Sequence, residues 1–397
     1  MYSTVRLGSG KEHLLESRHP WIFSGALELP KTPVEHGSLV HVADSKGKIV
    51  ATGTYSAHSN IAVRVFEFGE PTIDEKWLTA KIESAHNRRL LLGYGPETDT
   101  TGYRVVFGEA DDIPGLVADR YNDVIVIQLT TAGADNLRDS IVKSLIDLFG
   151  PRVIIERSDF ANRKEERLKE QTGVLHGSFR DDESVEFIEH DLKMLAYPLK
   201  GQKTGFYLDQ KETRRVFGQL AKGLQVLNLF SYTGAGAIAA IKGGAKSVLN
   251  VDSSNWALER SKEIAKLNRI AASKMLTEEA DVFQWLNSSG DDKFEMVIMD
   301  PPAIIKSRKE SDDGRKAYHF LNRAAMRLVK PGGLFVTSSC SQFFTIEDFA
   351  TTLRRASVQN GQILNLLKII PQSPDHPLSL YFPESFYLKT FVCVVSQ

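Results

Sequence analysis

One cysteine and one aspartate of this chain follow apolar runs that are typical of buried strands. Cys340 lies in the segment TSSCS (337–341), directly after the apolar run 334–336. Another apolar run ends at Asp300, which two prolines follow. Open α/β sheets bind and transform ligands at the carboxyl ends of their strands. A thiol and a carboxylate at one such edge would therefore make a reaction centre.

The elements that must position these side chains begin near residue 185, where short apolar strands alternate with helical stretches. We predict a hairpin over 187–196 with its turn at His190-Asp191, a helix over about 210–220, and strands over 226–230, 247–251 and 296–299. Strands that alternate with helices are typical of a parallel, doubly wound α/β sheet. Cys393 lies within a further apolar strand, and we interpret it as a core residue.

The first strand of this sheet leads into a loop that contains glycine. Gly234 and Gly236 follow the strand and open a helix, and the second strand ends in Asp252. Glycines let a ligand approach the backbone closely, and an acidic residue at the end of the second strand is placed to bind ribose hydroxyls. An ordinary tight turn is the alternative, but the context favours a nucleotide-like cofactor. Asp281 would either accept a hydrogen bond from an adenine amino group or cap the helix that follows it.

Composition places the chain among globular proteins. Its 397 residues suggest two or three domains, and its net charge of −1 gives no global electrostatic case for nucleic acid. Two cysteines exclude a disulfide framework and favour a reducing, cytoplasmic compartment. The N-terminus is not typical of a signal peptide, and no apolar stretch approaches a membrane span.

The regions before residue 185 differ in their predicted secondary structure. Residues 1 to about 70 predict a small β-barrel, because strands over 39–43 and 49–55 flank a hairpin turn and 61–66 alternates again. Residues from about 74 to 180 predict an α+β unit: a helix from about 73 past Arg89, two strands over 116–129, a helix over 136–148 and a strand over 152–156. We expect the strongly charged segment 157–167 at the surface.

Together these features resemble two nested families. The order of strand, glycine loop, Asp252, Asp281 and Asp300-Pro-Pro resembles the class I S-adenosylmethionine methyltransferases over roughly residues 200–397. Further motifs along the whole chain resemble the RlmI/YccW family of bacterial 23S ribosomal RNA cytosine-C5 methyltransferases. They are HPWIFSG (19–25), KTGFYLDQ (203–210), NLFSYTG (228–234), MDPP (299–302), SCS (339–341), DHP (375–377) and YLK (387–389).

The resemblance implies domains, a cofactor and a partner. It implies a PUA-like RNA-binding β-barrel over 1–72, an α+β middle domain over 73–184 and a Rossmann-like methyltransferase domain over 185–397. S-adenosyl-L-methionine is the expected cofactor and large-subunit ribosomal RNA the expected partner. We expect no metal and no membrane association, and a homodimer is a further option. The candidate cofactor-binding residues are Lys203, Thr204, Asn228, Phe230, Ser231, Tyr232, Thr233, Gly234, Gly236, Asp252, Ser253, Asp281, Val282, Asp300 and Pro301.

The resemblance also assigns chemistry to the two strand-end residues. Cytosine C5 becomes nucleophilic when a thiolate adds at C6, which is nucleophilic catalysis with acid–base assistance. Cys340 is the expected nucleophile, and Asp300 is the expected partner of N3, for which it would have to hold a proton. The alternative for Cys340 is a small buried residue, but its flanking serines favour a functional thiol. Many relatives carry a lysine and an aromatic residue where this chain has Ala303-Ile304, which leaves the target nucleotide open.

RNA contacts are predicted at two places. Basic and aromatic residues after the Asp-Pro-Pro segment suit a phosphate backbone and a flipped base, although a solvated surface loop is the alternative. In the first domain the resemblance implies that Arg18, His19 and Trp21 contact RNA, whereas the sequence alone favours Trp21 as a core residue. The candidate RNA-binding residues are Arg18, His19, Trp21, Pro302, Lys306, Arg308 and Tyr318.

Three rival functions remain at this point. The first is a guanine-nitrogen methyltransferase, which would need no covalent adduct, and the second is an RNA-binding protein with a vestigial cofactor fold. The intact Gly234 loop, Asp252, Asp300 and Cys340 argue against the vestigial fold. An NAD-dependent oxidoreductase lacks an evident partner for hydride transfer.

Overall fold

The chain forms two compact units. The computed structural model describes residues 2–28, 32–290, 293–305 and 307–396, without the side chains of residues 14, 161, 162 and 308. Unit 1 comprises Met1–Asp191, Leu195–Leu208 and Pro374–Ser385, and unit 2 comprises Leu192–Met194, Asp209–Ser373 and Phe386–Gln397.

Unit 1 begins with a five-stranded sheet in the order β1-β3-β4-β5-β2, in which only the β1–β3 pair is parallel. The hairpin predicted around residues 44–48 is present as β3 and β4. Apolar side chains that alternate along these strands close a small core around Val40, Val42 and Val63. The elements are β1 Ser3–Arg6, α1 His13–Glu16, β2 Trp21–Phe23, β3 Leu39–Ala43, β4 Ile49–Tyr55 and β5 Ile61–Phe68.

A second five-stranded sheet of unit 1 has the order β10-β9-β8-β7-β6. Its apolar face packs on Leu78 and Ile82 of α2 and on Ile141 and Leu145 of α4. These elements confirm the predicted α+β region, and a turn at His190-Asp191, both with positive φ, joins β11 to β12 as predicted. The elements are α2 Glu75–Leu91, β6 Gly102–Phe107, β7 Leu116–Tyr121, β8 Val124–Leu129, α3 Ala132–Asn136, α4 Arg138–Phe149, β9 Val153–Ser158, β10 Gln171–His176, β11 Val185–Glu189 and β12 Leu192–Ala196.

The expectation that the charged segment 157–167 lies at the surface is only partly right, because Lys164, Glu165 and Arg167 are exposed but some other charged residues of the segment are not. Arg157, Arg163 and Glu166 are buried. Arg163 donates to backbone oxygens and to Asp135 at 2.9 Å, and Glu166 accepts from Arg64 at 2.7 Å. Burial is tolerated here because each charge has a partner of opposite charge.

Unit 2 contains a seven-stranded sheet in the order β15-β14-β13-β16-β17-β19-β18. The first five strands are parallel, and β19 lies antiparallel between β17 and β18. This is the doubly wound α/β sheet that the sequence predicts. The elements are α5 Lys211–Leu220, β13 Gln225–Leu229, α6 Ala235–Lys242, β14 Ser247–Asp252, α7 Asn255–Leu267, β15 Met275–Glu279, α8 Val282–Ser288, β16 Phe294–Met299, α9 Ser311–Met326, β17 Val329–Ser339, α10 Ile346–Gln359, β18 Ile363–Pro371 and β19 Lys389–Ser396.

The register of this sheet brings the candidate residues to one edge. Leu229 pairs with Met299, and Met299 pairs with Thr337. Phe230, Asp300 and Cys340 therefore follow the carboxyl ends of three neighbouring strands. Cys393 is 2% exposed and belongs to the apolar core of this unit, which confirms its interpretation as a core residue.

Candidate active site

Asp300 lies directly after β16 and is held by a side chain from the start of α5. Nε2 of Gln210 lies 3.0 Å from both carboxylate oxygens of Asp300. Gln210 is 8% exposed, so its amide is largely withdrawn from water. Pro301, which follows, is buried, whereas Pro302 is exposed. An amide N–H that donates to a carboxylate favours the ionised form of that carboxylate.

Cys340 follows β17 and is partly exposed, between two buried serines. Ser339 Oγ donates to the Tyr318 hydroxyl at 3.0 Å, and Ser341 Oγ lies 3.0 Å from the same hydroxyl. Ser341 Oγ also accepts from the backbone N–H of Ile305 at 3.1 Å. The loop after Asp300 and the loop after Cys340 are thus tied together, with the thiol at their common edge.

A buried lysine lies beside the cysteine. Lys389 is the first residue of β19, pairs with Ser339 and is 2% exposed. Its Nζ donates to the carbonyl oxygen of Ser341 at 2.8 Å. Burial lowers the pKa of Lys389 to about 8, against the opposing influence of Cys340 and Asp348.

The loop after β13 has an unusual backbone conformation. Phe230, Tyr232 and Gly234 all have positive φ, at 58°, 47° and 71°. A Cβ at Gly234 would lie 2.8 Å from Cβ of Ser261, so glycine is required there for space as well as for conformation. Left-handed residues other than glycine cost free energy and cluster at functional sites.

Polar groups beneath this loop lack partners within the described protein. Oγ of Ser231 and Oγ1 of Thr233 are buried without a hydrogen-bond partner. The adjacent strands carry Asn228 and Asn250 side by side, and Asn228 Nδ2 donates to Asn250 Oδ1 at 2.8 Å. Buried hydroxyls normally find a partner, so this loop suits a polar ligand.

Two carboxylates flank the loop. Asp252 ends β14, and its oxygens accept from the backbone N–H groups of Tyr232 at 2.8 Å and Ser254 at 2.9 Å. A carboxylate has about four acceptor positions, so Asp252 retains capacity for hydroxyl donors. Asp281 caps α8 by accepting from the N–H of Gln284 at 2.9 Å, which confirms the helix-cap interpretation.

The other candidate cofactor residues are divided between the units. In unit 2, Gly236 lies in α6, Ser253 is exposed after Asp252, and Val282 is buried at the start of α8. Lys203 and Thr204 belong to unit 1. There Thr204 is fully buried and donates to Asp119 at 2.6 Å, while Nζ of Lys203 lies 4.3 Å from the Tyr207 ring centre. The hydroxyl of Thr204 therefore has a hydrogen-bond partner within unit 1, and its role in cofactor binding stays a prediction.

The expectation that Tyr318 contacts RNA is wrong. Tyr318 is 0% exposed and stacks on Phe344, with ring centres 4.7 Å apart. Burial raises the pKa of its hydroxyl to about 12. Residues from Ser311 onward form helix α9 rather than a loop, and the inward face of that helix carries Tyr318. Lys306 and the side chain of Arg308 lie outside the described residues.

The candidate RNA residues of unit 1 take part in contacts within that unit. His19 Nε2 lies 3.1 Å from Glu384, and Trp21 donates to Glu109 at 2.8 Å. The rings of Trp21 and Phe382 are 4.8 Å apart. Trp21 is partly buried, and Arg18 is exposed with a positive φ.

Sequence reasoning missed Gln210 and Lys389, although both belong to motifs that carried the family resemblance. A polar residue just before a helix and a lysine at the start of an apolar strand were the available signals. Among the described residues no cluster of His, Cys, Asp or Glu suits a metal ion, and no described helix has the length and apolarity to cross a membrane.

Similarity to known families covers the chain. Residues 5–68 match the family described as PUA-like domain, and residues 116–375 match that described as S-adenosylmethionine-dependent methyltransferase. The protein of Aliivibrio fischeri (strain MJ11) named ribosomal RNA large subunit methyltransferase I is 38% identical over 399 residues, 100% of both chains. The protein of that name from Tolumonas auensis is 37% identical over 396 residues, 99% of both.

Solved structures share the fold. A crystal structure of SMU.776, assigned as a methyltransferase and complexed with SAH, has a TM-score of 0.85 at 20% identity and covers 99% of this chain and 100% of its own. A protein of Streptococcus mutans assigned as a SAM-dependent methyltransferase has a TM-score of 0.83 at 20% identity, with the same coverage. At this identity the likeness concerns the fold alone.

Proposed function

The chain belongs to the S-adenosylmethionine-dependent methyltransferase family and, within it, to the ribosomal RNA large subunit methyltransferases I, and from this membership we propose that it methylates C5 of a cytosine in large-subunit ribosomal RNA. The observation that carries the proposal is the placement of Cys340 and Asp300 after neighbouring strands. Their loops are joined through Ile305 and Ser341 at 3.1 Å. A thiolate that adds at C6 activates C5 of cytosine for methylation, whereas methylation of a guanine nitrogen needs no such adduct.

The residues around the β13 loop fit S-adenosylmethionine. The unpartnered hydroxyls of Ser231 and Thr233 offer hydrogen bonds to a polar ligand, and Asp252 suits ribose hydroxyls. Gly234 leaves room for a close approach to the backbone. When bound, the cofactor supplies an electrophilic methyl group. We extend the proposed site to Asn228, Phe230, Tyr232, Gly236, Ser253, Asp281, Val282 and Pro301.

In the proposed mechanism Cys340 activates the base. Its thiolate adds to C6, and the electron pair of the C5–C6 double bond moves toward N3 and makes C5 nucleophilic. After methylation a base removes the C5 proton, the C5–C6 double bond forms again, and the S–C6 electron pair returns to sulfur. The partly exposed position of Cys340 at a strand end suits this attack.

Asp300 is the proposed partner of N3 and of the neighbouring amino group. In the free protein its two hydrogen bonds from Gln210 favour the carboxylate, which accepts from an amino group. When the base is bound, Asp300 takes up a proton from solvent, and this proton, shared with N3, stabilises the negative charge that develops there. The Gln210 amide can turn and present its oxygen to a protonated Asp300, so it supports both states.

Other features of the proposal concern the substrate and its setting. We propose three domains over 1–72, 73–184 and 185–397, with RNA bound by the first domain through Arg18, His19 and Trp21 and by the loop that contains Pro302, Lys306 and Arg308. The protein would act in the cytoplasm, where ribosomal RNA is available. A homodimer remains a proposal to be tested by the mass of the protein in solution.

Identification of the modified nucleoside tests the function. Ribosomal RNA from a strain that lacks the protein would be incubated with the enzyme and labelled S-adenosylmethionine, then digested to nucleosides. We expect labelled 5-methylcytidine, and labelled methylguanosine would refute the proposal.

The role of Cys340 is tested by Cys340→Ala. We expect turnover to fall below detection while S-adenosylhomocysteine binds with nearly unchanged affinity in calorimetry. Cys393→Ala is the matched control, because that thiol is buried and burial raises its pKa to about 12. Retained turnover in Cys340→Ala would make Cys340 a structural residue.

A further inference from the structure

The charge environment of Lys389 is unusual for a lysine. The side chain is 2% exposed, and burial of an ammonium group is costly unless a negative charge compensates it. Within the described part of the chain, no carboxylate oxygen lies within 4 Å of its Nζ. Its hydrogen-bond acceptor is the neutral carbonyl of Ser341, and the ring centre of Phe386 lies 5.9 Å from it. Burial lowers the pKa of Lys389 to about 8, so a charge that keeps this lysine as an ammonium has to come from another kind of group.

The residue before Ser341 in the chain is Cys340. Lys389 pairs in register with Ser339, the residue before the cysteine. Lys389 is thus held through its backbone opposite Ser339 and through its Nζ on the carbonyl of Ser341, the residues on either side of the cysteine. Cys340 acts on Lys389 electrostatically in the direction that favours the ammonium form.

We propose that the ammonium of Lys389 is the counter-charge that holds Cys340 as a thiolate, an inference that rests on the proposed function of Cys340 as the nucleophile. Lys389 is then a positioning residue, because it acts through the sulfur and not on the base. It enters the site from the antiparallel strand β19, whose first residue it is.

This pairing accounts for both covalent steps of the proposed mechanism. When the thiolate adds to C6, its electron pair enters the S–C6 bond and the ammonium loses its counter-charge. When the C5 proton has left to a base, the S–C6 pair returns to sulfur and the ion pair forms again. Lys389 therefore favours release of the product as well as the initial presence of the nucleophile.

The other titratable groups around Lys389 do not replace the thiolate. From α9, Tyr318 is neutral at physiological pH, because burial raises its pKa to about 12. From α10, Asp348 is already paired with Arg315 at 2.6 Å. On β19 itself, burial raises the pKa of Cys393 to about 12, so this thiol is also neutral.

Alkylation by iodoacetamide tests the pairing without RNA or cofactor. The chain has two cysteines, and the buried Cys393 is the internal control that should stay unmodified. Mass spectrometry of the peptide containing Cys340 gives its alkylation rate as a function of pH. In the wild-type protein we expect the midpoint of that profile to lie below the ordinary value of about 8.5 for a free cysteine.

Two variants complete the test. Lys389→Met removes the charge with similar length, and we expect the midpoint to rise by about one pH unit or more and the rate at neutral pH to fall about tenfold. Lys389→Arg retains the charge and should retain most of the shift. Thermal unfolding and calorimetry with S-adenosylhomocysteine verify that both variants are folded.

Two outcomes would overturn the inference. One is a wild-type midpoint at or above about 8.5, which requires no variant at all. The other is a folded Lys389→Met protein with the wild-type profile. Neither depends on the identity of the methylated nucleoside, so failure of this inference and failure of the proposed function are distinguishable.

Discussion

Replacement of Gln210 by leucine tests whether the amide contact at Asp300 matters for catalysis. In the wild-type protein Nε2 of Gln210 lies 3.0 Å from each carboxylate oxygen, and the side chain is 8% exposed. Leucine has a similar volume, so the substitution removes the donor without a large cavity. Asp300 would lose its orientation toward the base and the support for its negative charge.

The expected magnitude follows from the type of hydrogen bond. A hydrogen bond to a charged group contributes about 1.5–3 kcal/mol. If this contribution acts on the transition state, each 1.36 kcal/mol lowers the rate about tenfold. We therefore expect kcat of Gln210→Leu to fall about ten- to a hundredfold.

Cofactor affinity separates this effect from a general disturbance of the site. Methylation of ribosomal RNA would be followed with labelled S-adenosylmethionine at saturating concentrations, and binding of S-adenosylhomocysteine by calorimetry. We expect binding within about threefold of wild type, since the hydrogen bonds of the Gln210 side chain go to Asp300 and the substitution leaves the polar groups of the β13 loop unchanged. Gln219→Leu, at an exposed position of the same helix, is the matched control.

The outcome that refutes this reasoning is a Gln210→Leu enzyme with wild-type kcat. A second variant, Gln210→Glu, brings a carboxylate against Asp300. Because like charges so close cannot both ionise easily, the pKa of Asp300 rises, and we expect the pH profile of activity to shift toward higher pH. An unchanged pH profile would show that the contact with Asp300 does not form in the working enzyme.

Two further substitutions test the cofactor loop and unit 1. Gly234→Ala places a Cβ 2.8 Å from that of Ser261 at a φ of 71°, so calorimetry should show S-adenosylhomocysteine binding at least about tenfold weaker than in the wild type. The control, Gly361→Ala, has a similar φ but open space around the new Cβ, and it should leave the affinity unchanged. A Gly234→Ala protein with wild-type affinity would contradict the role of the loop in cofactor binding. Asp111→Ala leaves Arg89 buried without its carboxylate, so urea unfolding should show a loss of about 3–5 kcal/mol, and no loss would contradict the buried pair. Burial opposes ionisation of Asp111, but Arg89 and Arg88 outweigh it and hold its pKa below 3.8; the pair's stabilisation is therefore present above that pH and disappears in the wild type as the pH falls through the lowered pKa.

Much of the methyltransferase unit could be predicted because its signals are local. Apolar runs separated by helical stretches predicted the strands, and a polar residue directly after each run predicted the edge of the sheet. Asp252, Asp300 and Cys340 all lie directly after or at the end of a strand, as expected. Residue types and their distance from an apolar run were sufficient for this.

The contacts that support these residues could not be predicted, since they join distant parts of the chain. Gln210 meets Asp300 across 90 residues, and the backbone N–H of Arg104 donates to Asp375 across 271 residues at 2.9 Å. Tyr318 was misjudged for a related reason. The charged residues on its helix indicated a surface, whereas the inward face of the helix decides where its ring lies.

The two proposed reactive groups have supports of different kinds, and the difference matches their roles. A neutral amide supports Asp300, and an amide can serve a carboxylate with its N–H or a carboxylic acid with its oxygen. A buried lysine lies beside Cys340, and in its proposed ammonium form it favours only the anion. Under the proposed mechanism Cys340 must be ionised before the reaction starts, whereas Asp300 must be able to change its protonation state while charge develops on the base. Exchange of the two supports would leave a carboxylate that resists protonation and a thiol that resists ionisation, so the arrangement itself favours attack by sulfur and proton sharing by Asp300.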